Sequence, residues 1–146
     1  MKLKYALVAI VVLALLGIAD SAYALKEHYA APLTSSCDIN ETVSCTAVNQ
    51  SSYSDVAGIP VAAIGVAGYS LLAFLAGALV SNRRPVRLWR TLLLLASLAA
   101  LAVSMALTYV ELFVLSVVCP LCVTSLALVV LIASLTLFAM TKSLSQ

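Results

Sequence analysis

The sequence predicts an all-α membrane protein: a four-transmembrane-helix bundle with a large extracytoplasmic loop between helices 1 and 2. Three observations carry that reading. First, the 146 residues are 64% hydrophobic and 10% charged, whereas soluble domains run about 45–50% apolar and about 25% charged. A soluble chain this short has too little interior to hide so much apolar surface. Second, the apolar residues gather into four stretches, each near the roughly 20 residues that a helix needs to cross the hydrocarbon core. Third, the basic residues lie almost wholly at one end of those stretches. The composition excludes a water-soluble enzyme and a disordered chain. A net charge of +2 is too small for a nucleic-acid binder. A single membrane domain over 1–146 is expected.

The first helix is expected over about 5–25, the second over 60–80, the third over 88–110 and the fourth over 115–140. Backbone groups in lipid must be satisfied within the segment, so these are helices, and no alternating pattern supports a barrel. Lys2 and Lys4 precede the first helix. Arg83, Arg84, Arg87 and Arg90 lie around the connection between the second and third, and Lys142 follows the fourth. Only Lys26 falls at the opposite end. Both termini are therefore expected in the cytoplasm of a cell (plasma or inner) membrane. Glu27, Asp38, Glu41, Asp55 and Glu111 fall on the other side, and Trp89 sits where an interfacial anchor belongs. Residues 1–24 also read as a signal peptide ending in Ala22-Tyr23-Ala24. The apolar run is long for that, which favours an uncleaved helix.

The extracytoplasmic loop, about 26–59, is polar and is where a soluble partner would be met. Gly58-Ile59-Pro60 closes it, with Pro60 placed to begin the second helix. Cys37 and Cys45 lie in this loop, and Cys119-Pro120-Leu121-Cys122 starts the fourth helix, so all four cysteines meet at one membrane face. Thiolate is the reactive form of cysteine, and the positive end of a helix favours it. Pro120 lacks only an N–H that a first turn does not use. Two close pairs on one side suggest a relay by thiol–disulfide exchange. Two structural disulfides use the same residues, giving a stapled structural or assembly protein as the alternative. A four-cysteine zinc site is a third reading. Transport is the weakest, because the membrane segments lack charge apart from Asp20 near one end.

The run Cys37-Asp38-Ile39-Asn40-Glu41-Thr42-Val43-Ser44-Cys45, the Gly58-Ile59-Pro60 entry to the second helix and Cys119-Pro120-Leu121-Cys122 on the fourth together resemble the vitamin K epoxide reductase family. Ser51, six residues after Cys45, matches a loop serine of that family. The likeness covers essentially the whole chain. In the periplasmic disulfide-forming quinone reductases the CxxC comes first; here it comes last. The resemblance implies a quinone pocket at the outer end of the bundle, with Cys122 facing the quinone and Ser51 beside it. It implies exchange of Cys119 with Cys45, and a meeting of Cys37 with a thioredoxin-like partner. With the chain stopping at Gln146, that partner is expected to be a separate protein. Menaquinone, ubiquinone or a vitamin K-type quinone would be the acceptor, and disulfide formation in secreted proteins the outcome. Animal members carry a polar asparagine and tyrosine where this chain has Val61 and Leu126, which argues for quinone rather than epoxide reduction.

Other residues carry smaller expectations. Asp38 reads as a surface acid, with tuning of the neighbouring thiol or capping of a short loop helix as its other roles. Asp20 is expected to face the bundle or the loop. Gly65 and Gly68 are expected to allow close helix packing, and Ser104 and Thr108 to bond between helices. Tyr69 and Tyr109 suit bundle packing and an interfacial ring, and Glu111 an interfacial acid. Nothing is assigned to His28. Asn40-Glu41-Thr42 and Asn49-Gln50-Ser51 match the glycosylation pattern.

Overall fold

A computed structural model of the protein describes residues 2–30, 37–40, 42–81 and 86–144. Glu41, Arg83 and Arg84, and the side chains of Lys2 and Lys142, lie outside the described residues. In chain order the elements are α1 (Lys2–His28), α2 (Cys45–Asn49), β1 (Asp55–Val56), β2 (Ile59–Pro60), α3 (Val61–Val80), α4 (Val86–Tyr109) and α5 (Pro120–Leu144). A π-helical turn over Val110–Leu115 prolongs α4. Among the described residues four segments are long and apolar enough to cross a membrane: Leu3–His28, Val61–Val80, Arg87–Leu115 and Pro120–Thr141. They form the four-helix membrane bundle that the composition demands.

The bundle core takes fully buried side chains from each long helix, Ile10, Leu72, Leu93 and Ile132 being the largest apolar ones. The outward faces keep Leu15, Phe74, Leu95 and Phe138 exposed, as helices surrounded by lipid require. Phe74 meets Trp89 edge to face at 5.6 Å, tying α3 to α4 near the basic end. Helix contact in lipid relies on close backbone approach rather than on expelling water. The tightest approach is at Gly17, where an added Cβ would lie 2.3 Å from the Tyr69 ring. Gly65 behaves as expected, since its Cβ would lie 2.8 Å from the Ser21 hydroxyl oxygen. Gly68 does not: a Cβ there meets nothing within 4 Å, and the residue borders a cavity. Its lack of a side chain makes room instead of contact. Buried Tyr69 donates its hydroxyl to the Ser125 carbonyl (3.0 Å) and lies 2.8 Å from the Ser125 hydroxyl, fastening α3 to α5.

The third transmembrane segment runs on to Leu115 and the fourth begins at Pro120, about five residues later than the apolar pattern suggests. The break has a local cause. Ser116 takes a left-handed conformation (φ 54°) that ends the π turn, and Pro120 is tolerated only in a first helical turn. The CxxC therefore opens α5. Pro60 is the N-cap of α3, with ψ 131°, and the helix starts at Val61.

The described part of the loop is folded. β1 and β2 form a hairpin whose two turn residues, Ala57 and Gly58, both have positive φ (53° and 79°). That matches a type I′ turn, whose twist suits a two-residue hairpin. The Ser44 hydroxyl accepts the Ala47 N–H and caps α2. Two backbone bonds then clip the loop to the segment ahead of α5: Ser44 N–H to the Val118 carbonyl (3.1 Å) and Val118 N–H to the Thr42 carbonyl (2.8 Å). Gln50 reaches back to the carbonyls of Glu27 and Ala30, and the His28 ring bonds the Asn49 carbonyl, anchoring the loop on the end of α1.

Candidate functional site

The site is built where the loop meets the start of α5. Cys45 opens α2 and Cys119 directly precedes α5, and both side chains are fully buried. Cys37 and Cys45 are joined as a disulfide, while Cys119 and Cys122 are thiols. The sulfurs of Cys45 and Cys119 lie 3.6 Å apart. That approach follows from the clip at Val118, which sets the residue before Cys119 beside Val43 and Ser44. Cys37 is partly exposed on the loop, and Cys122 forms part of the wall of a cavity inside the bundle. The four sulfurs thus form a series from the loop surface through a buried junction to a cavity. A four-thiolate zinc site is not available while Cys37 and Cys45 are bonded to each other.

Asp38 is more than a surface acid. Its carboxylate accepts the Ser44 hydroxyl (2.6 Å), the Thr46 N–H (3.0 Å) and the Thr46 hydroxyl (2.6 Å). The Ser44 hydroxyl and then the two Thr46 donors hold its pKa below the ordinary carboxylate value. One residue after Cys37, it binds the first turn of the helix that starts with Cys45, so both ends of the loop disulfide share one polar anchor. Asn49, on the last turn of that helix, is buried; its amide donates to the Cys45 carbonyl (3.0 Å) and comes within 3.9 Å of the Cys119 sulfur. The Asn49 amide of the Asn49-Gln50-Ser51 pattern is thus turned inward. Asn40 is exposed, but its side-chain oxygen accepts the Thr42 and Val43 N–H groups and forms a turn.

The cavity encloses about 390 Å³, within the range of small-molecule sites. Its wall is mostly apolar and includes Val61, Leu72, Val103 and Leu107. Cys122 and Glu111 supply part of its polar margin, together with Ser51 and the Tyr69–Ser125 pair. Ser51 donates its hydroxyl to the Val48 carbonyl (2.8 Å). Asp20 and His28 also border the cavity, so Asp20 faces inward as its cost in lipid demands. His28, to which the sequence assigns nothing, holds the Asn49 carbonyl and lies 3.6 Å from Asp55. Thr108 bonds the Ser104 carbonyl within its own helix, and both border the cavity, so the expected bond between helices is replaced. Tyr109 is exposed and stacks on Phe113 at 4.9 Å, as an interfacial ring would.

Glu111 departs most from expectation. Expected as an interfacial acid, it is only 3% exposed. One carboxyl oxygen accepts the backbone N–H of Cys119, and the other has no hydrogen-bond partner among the described residues. The signal available in the sequence was its distance of eight residues from Cys119, which became informative only once the π turn and Ser116 were known to fold the segment back.

A largely apolar cavity with a cysteine in its wall is of the kind that suits a lipophilic small molecule. The sequence model of the vitamin K epoxide reductase family matches residues 8–137. The chain belongs to that family. No curated protein matches the chain. The family is one of quinone-linked thiol oxidoreductases, and its members work with thiol redox partners. This member has the family's four membrane helices, with both cysteine pairs at one end of the bundle.

Proposed function

We propose that the protein passes electrons from a reduced thioredoxin-like partner through Cys37/Cys45 and Cys119/Cys122 to a membrane quinone, supporting disulfide formation outside the cytoplasm. The observation that carries this reading is the 3.6 Å gap between the sulfurs of Cys45 and Cys119. It joins the loop pair to the cavity pair at a distance where one sulfur can attack the other.

In the working direction a partner thiolate attacks Cys37 of the Cys37–Cys45 disulfide, forming a bond to Cys37 and releasing Cys45 as a thiolate. The partner's second thiolate resolves that bond, freeing Cys37 and leaving the partner oxidised. Cys45 then attacks Cys119 of a Cys119–Cys122 disulfide, and Cys122 leaves as a thiolate at the cavity. Cys37 closes back onto Cys45, which releases Cys119. Two electrons now reside on the Cys119/Cys122 pair, ready for a quinone at Cys122. The quinone supplies a two-electron, two-proton acceptor; for this kind of transfer 30 mV is worth about 1.4 kcal/mol. The chain's own share is placement: the apolar wall takes the ring, Ser51 and the Tyr69–Ser125 pair border it, and bundle packing keeps water from the pair. Apolar Val61 in the wall supports quinone over epoxide as substrate.

The test is anaerobic quinone reduction by protein in nanodiscs, with a dithiol reductant and menaquinone, ubiquinone or vitamin K quinone. Wild-type turnover above the uncatalysed rate, abolished in Cys122→Ala, is the expected result. A folded wild type with reducible cysteines and no turnover with any of the three would favour the alternative, a membrane structural protein stapled by disulfides.

A further inference from the structure

We propose that Glu111 carries the proton of the CxxC pair, serving as the general acid and base for opening and closing the Cys119–Cys122 disulfide. This rests on the relay reading above and assigns a residue that the cysteines alone do not. Three geometric facts support it. A Glu111 carboxyl oxygen and the sulfurs of Cys119 and Cys122 all lie within 4.8 Å of one another. The carboxyl is buried, and one of its oxygens is engaged by the Cys119 N–H while the other has no partner among the described residues. It also borders the same cavity as Cys122. No lysine or arginine borders that cavity and Glu111 makes no salt bridge among the described residues, so the usual structural duty of a buried acid, half of a fixed ion pair, is not seen there. A buried carboxyl with an open lone pair beside two thiols is placed to exchange a proton with them.

The step balances in atoms and charge. Cys45 thiolate attacks Cys119; the Cys45–Cys119 bond forms, the Cys119–Cys122 bond breaks, and its electron pair leaves on the Cys122 sulfur. Glu111 gives its proton to that sulfur and becomes a carboxylate. One negative charge enters on Cys45 and one remains on Glu111, where the Cys119 N–H donates to it more strongly than to the neutral acid. In reverse, the carboxylate takes the Cys122 proton as that sulfur attacks Cys119 and expels Cys45. The π turn, a feature that recurs at functional sites, carries Glu111 on the segment that folds back through Ser116 toward Cys119.

The experiment uses full-length protein in nanodiscs without quinone or partner. Fully oxidised protein is mixed with dithiothreitol, quenched in acid, alkylated and mapped by mass spectrometry, so that loss of each disulfide is timed separately across a range of pH. Asp20, His28, Tyr53 and Tyr69 also border the cavity and can shape the profile, so it is read as the difference between wild type and variant. Glu111→Gln keeps an acceptor for the Cys119 N–H but cannot carry a proton. It should slow opening of Cys119–Cys122 by about 100-fold, the lower end of general acid–base contributions, and remove one limb of the pH profile. Reduction of Cys37–Cys45 should proceed at the wild-type rate, and Glu111→Asp should restore much of the loss. A Glu111→Gln protein with wild-type exchange and profile would overturn the proposal. If the variant misfolds, wild type still decides: reduction of the CxxC should change a carboxyl infrared band that is absent from the difference spectrum of Cys122→Ser, and no such band overturns it. A Cys119–Cys122 pair that exchanges independently of Glu111 sinks this inference alone. A pair that never exchanges sinks the relay reading with it.

Discussion

The two cysteine pairs are held by opposite kinds of chemistry. The loop pair is fixed by polar bonds: Asp38 on Ser44 and Thr46, Asn49 on the Cys45 carbonyl, and two backbone bonds with Val118, one from Ser44 and one to Thr42. The CxxC pair is fixed by covalent attachment to a membrane helix and by the packing of that helix. Polar ties on a loop can open and close at modest cost, since each hydrogen bond contributes only about 0.5–1.5 kcal/mol net. A helix packed against α1 and α4 moves little on the same scale. In the proposed relay the loop pair is the one that meets the partner and the CxxC is the one whose Cys122 borders the cavity.

The strongest way to break that comparison is to strand the relay at the junction. Cys122→Ser removes the sulfur that resolves an attack of Cys119 on Cys45. The Cys45–Cys119 disulfide should then accumulate with Cys37 as a thiol, and quinone turnover should fall to background. Peptide mapping that finds only Cys37–Cys45 would refute the junction. Conversely, Cys37→Ala should lose turnover with a protein partner but retain it with a small-molecule dithiol. Loss with both would place Cys37 inside the chemistry, not at its entrance.

The next effect is on the bundle. Gly17→Ala drives a methyl group into the buried Tyr69 ring, and such overpacking costs about 1–3 kcal/mol. Thermal unfolding in detergent should show a clearly lower midpoint. Gly68→Ala, with open space around it, should leave that midpoint unchanged and instead raise the KM for quinone by narrowing the cavity. If both glycines shift stability equally, the cavity at Gly68 is not real.

The loop has its own signature in pH. Hydrogen bonds hold the Asp38 pKa below its unfolded value, so its contribution is fully present above the unfolded pKa of about 3.9. It is lost as pH falls through the lower, folded value. Corrected for the intrinsic pH dependence of exchange, the protection of α2 should fall on acidification through that window while the long helices stay protected, and Asp38→Ala should make the low protection the same across it. Unchanged exchange in Asp38→Ala would remove the polar anchor from the account. The smallest effect belongs to the hairpin. Ala57 has φ 53°, a conformation that costs a residue with a side chain roughly 1–2 kcal/mol. Ala57→Gly should raise stability slightly, offset by the entropy glycine brings to the unfolded chain, with turnover unaltered.

Most of the architecture was legible in the residue order. Apolar runs near 20 residues can only become helices in lipid, so the four membrane segments follow from composition. The CxxC at a helix start follows from Pro120, which has no place inside a helix. The resemblance in Cys37-Asp38, Ser51 and Cys119-Pro120-Leu121-Cys122 pointed to the family that the comparison then showed. The neighbours of the cysteines were only partly legible. Asp38 was readable as the cap of a short loop helix, and it accepts the Thr46 N–H in the first turn of α2, but the inward turn of Asn49 and Glu111 was not, because nothing local distinguishes a buried polar side chain from an exposed one.

What the sequence determined by itself, then, is the set of periodic elements and the chemistry they carry, because hydropathy and proline act within a few residues of where they stand. What only the tertiary structure decided is which groups meet. The approach of Cys45 to Cys119, the turning inward of Glu111 and the gap beside Gly68 each depend on residues far apart in the chain. The backbone bonds between Thr42, Ser44 and Val118 bring the loop onto the start of α5. That long-range pairing, and not any local propensity, makes two cysteine pairs into one connected site.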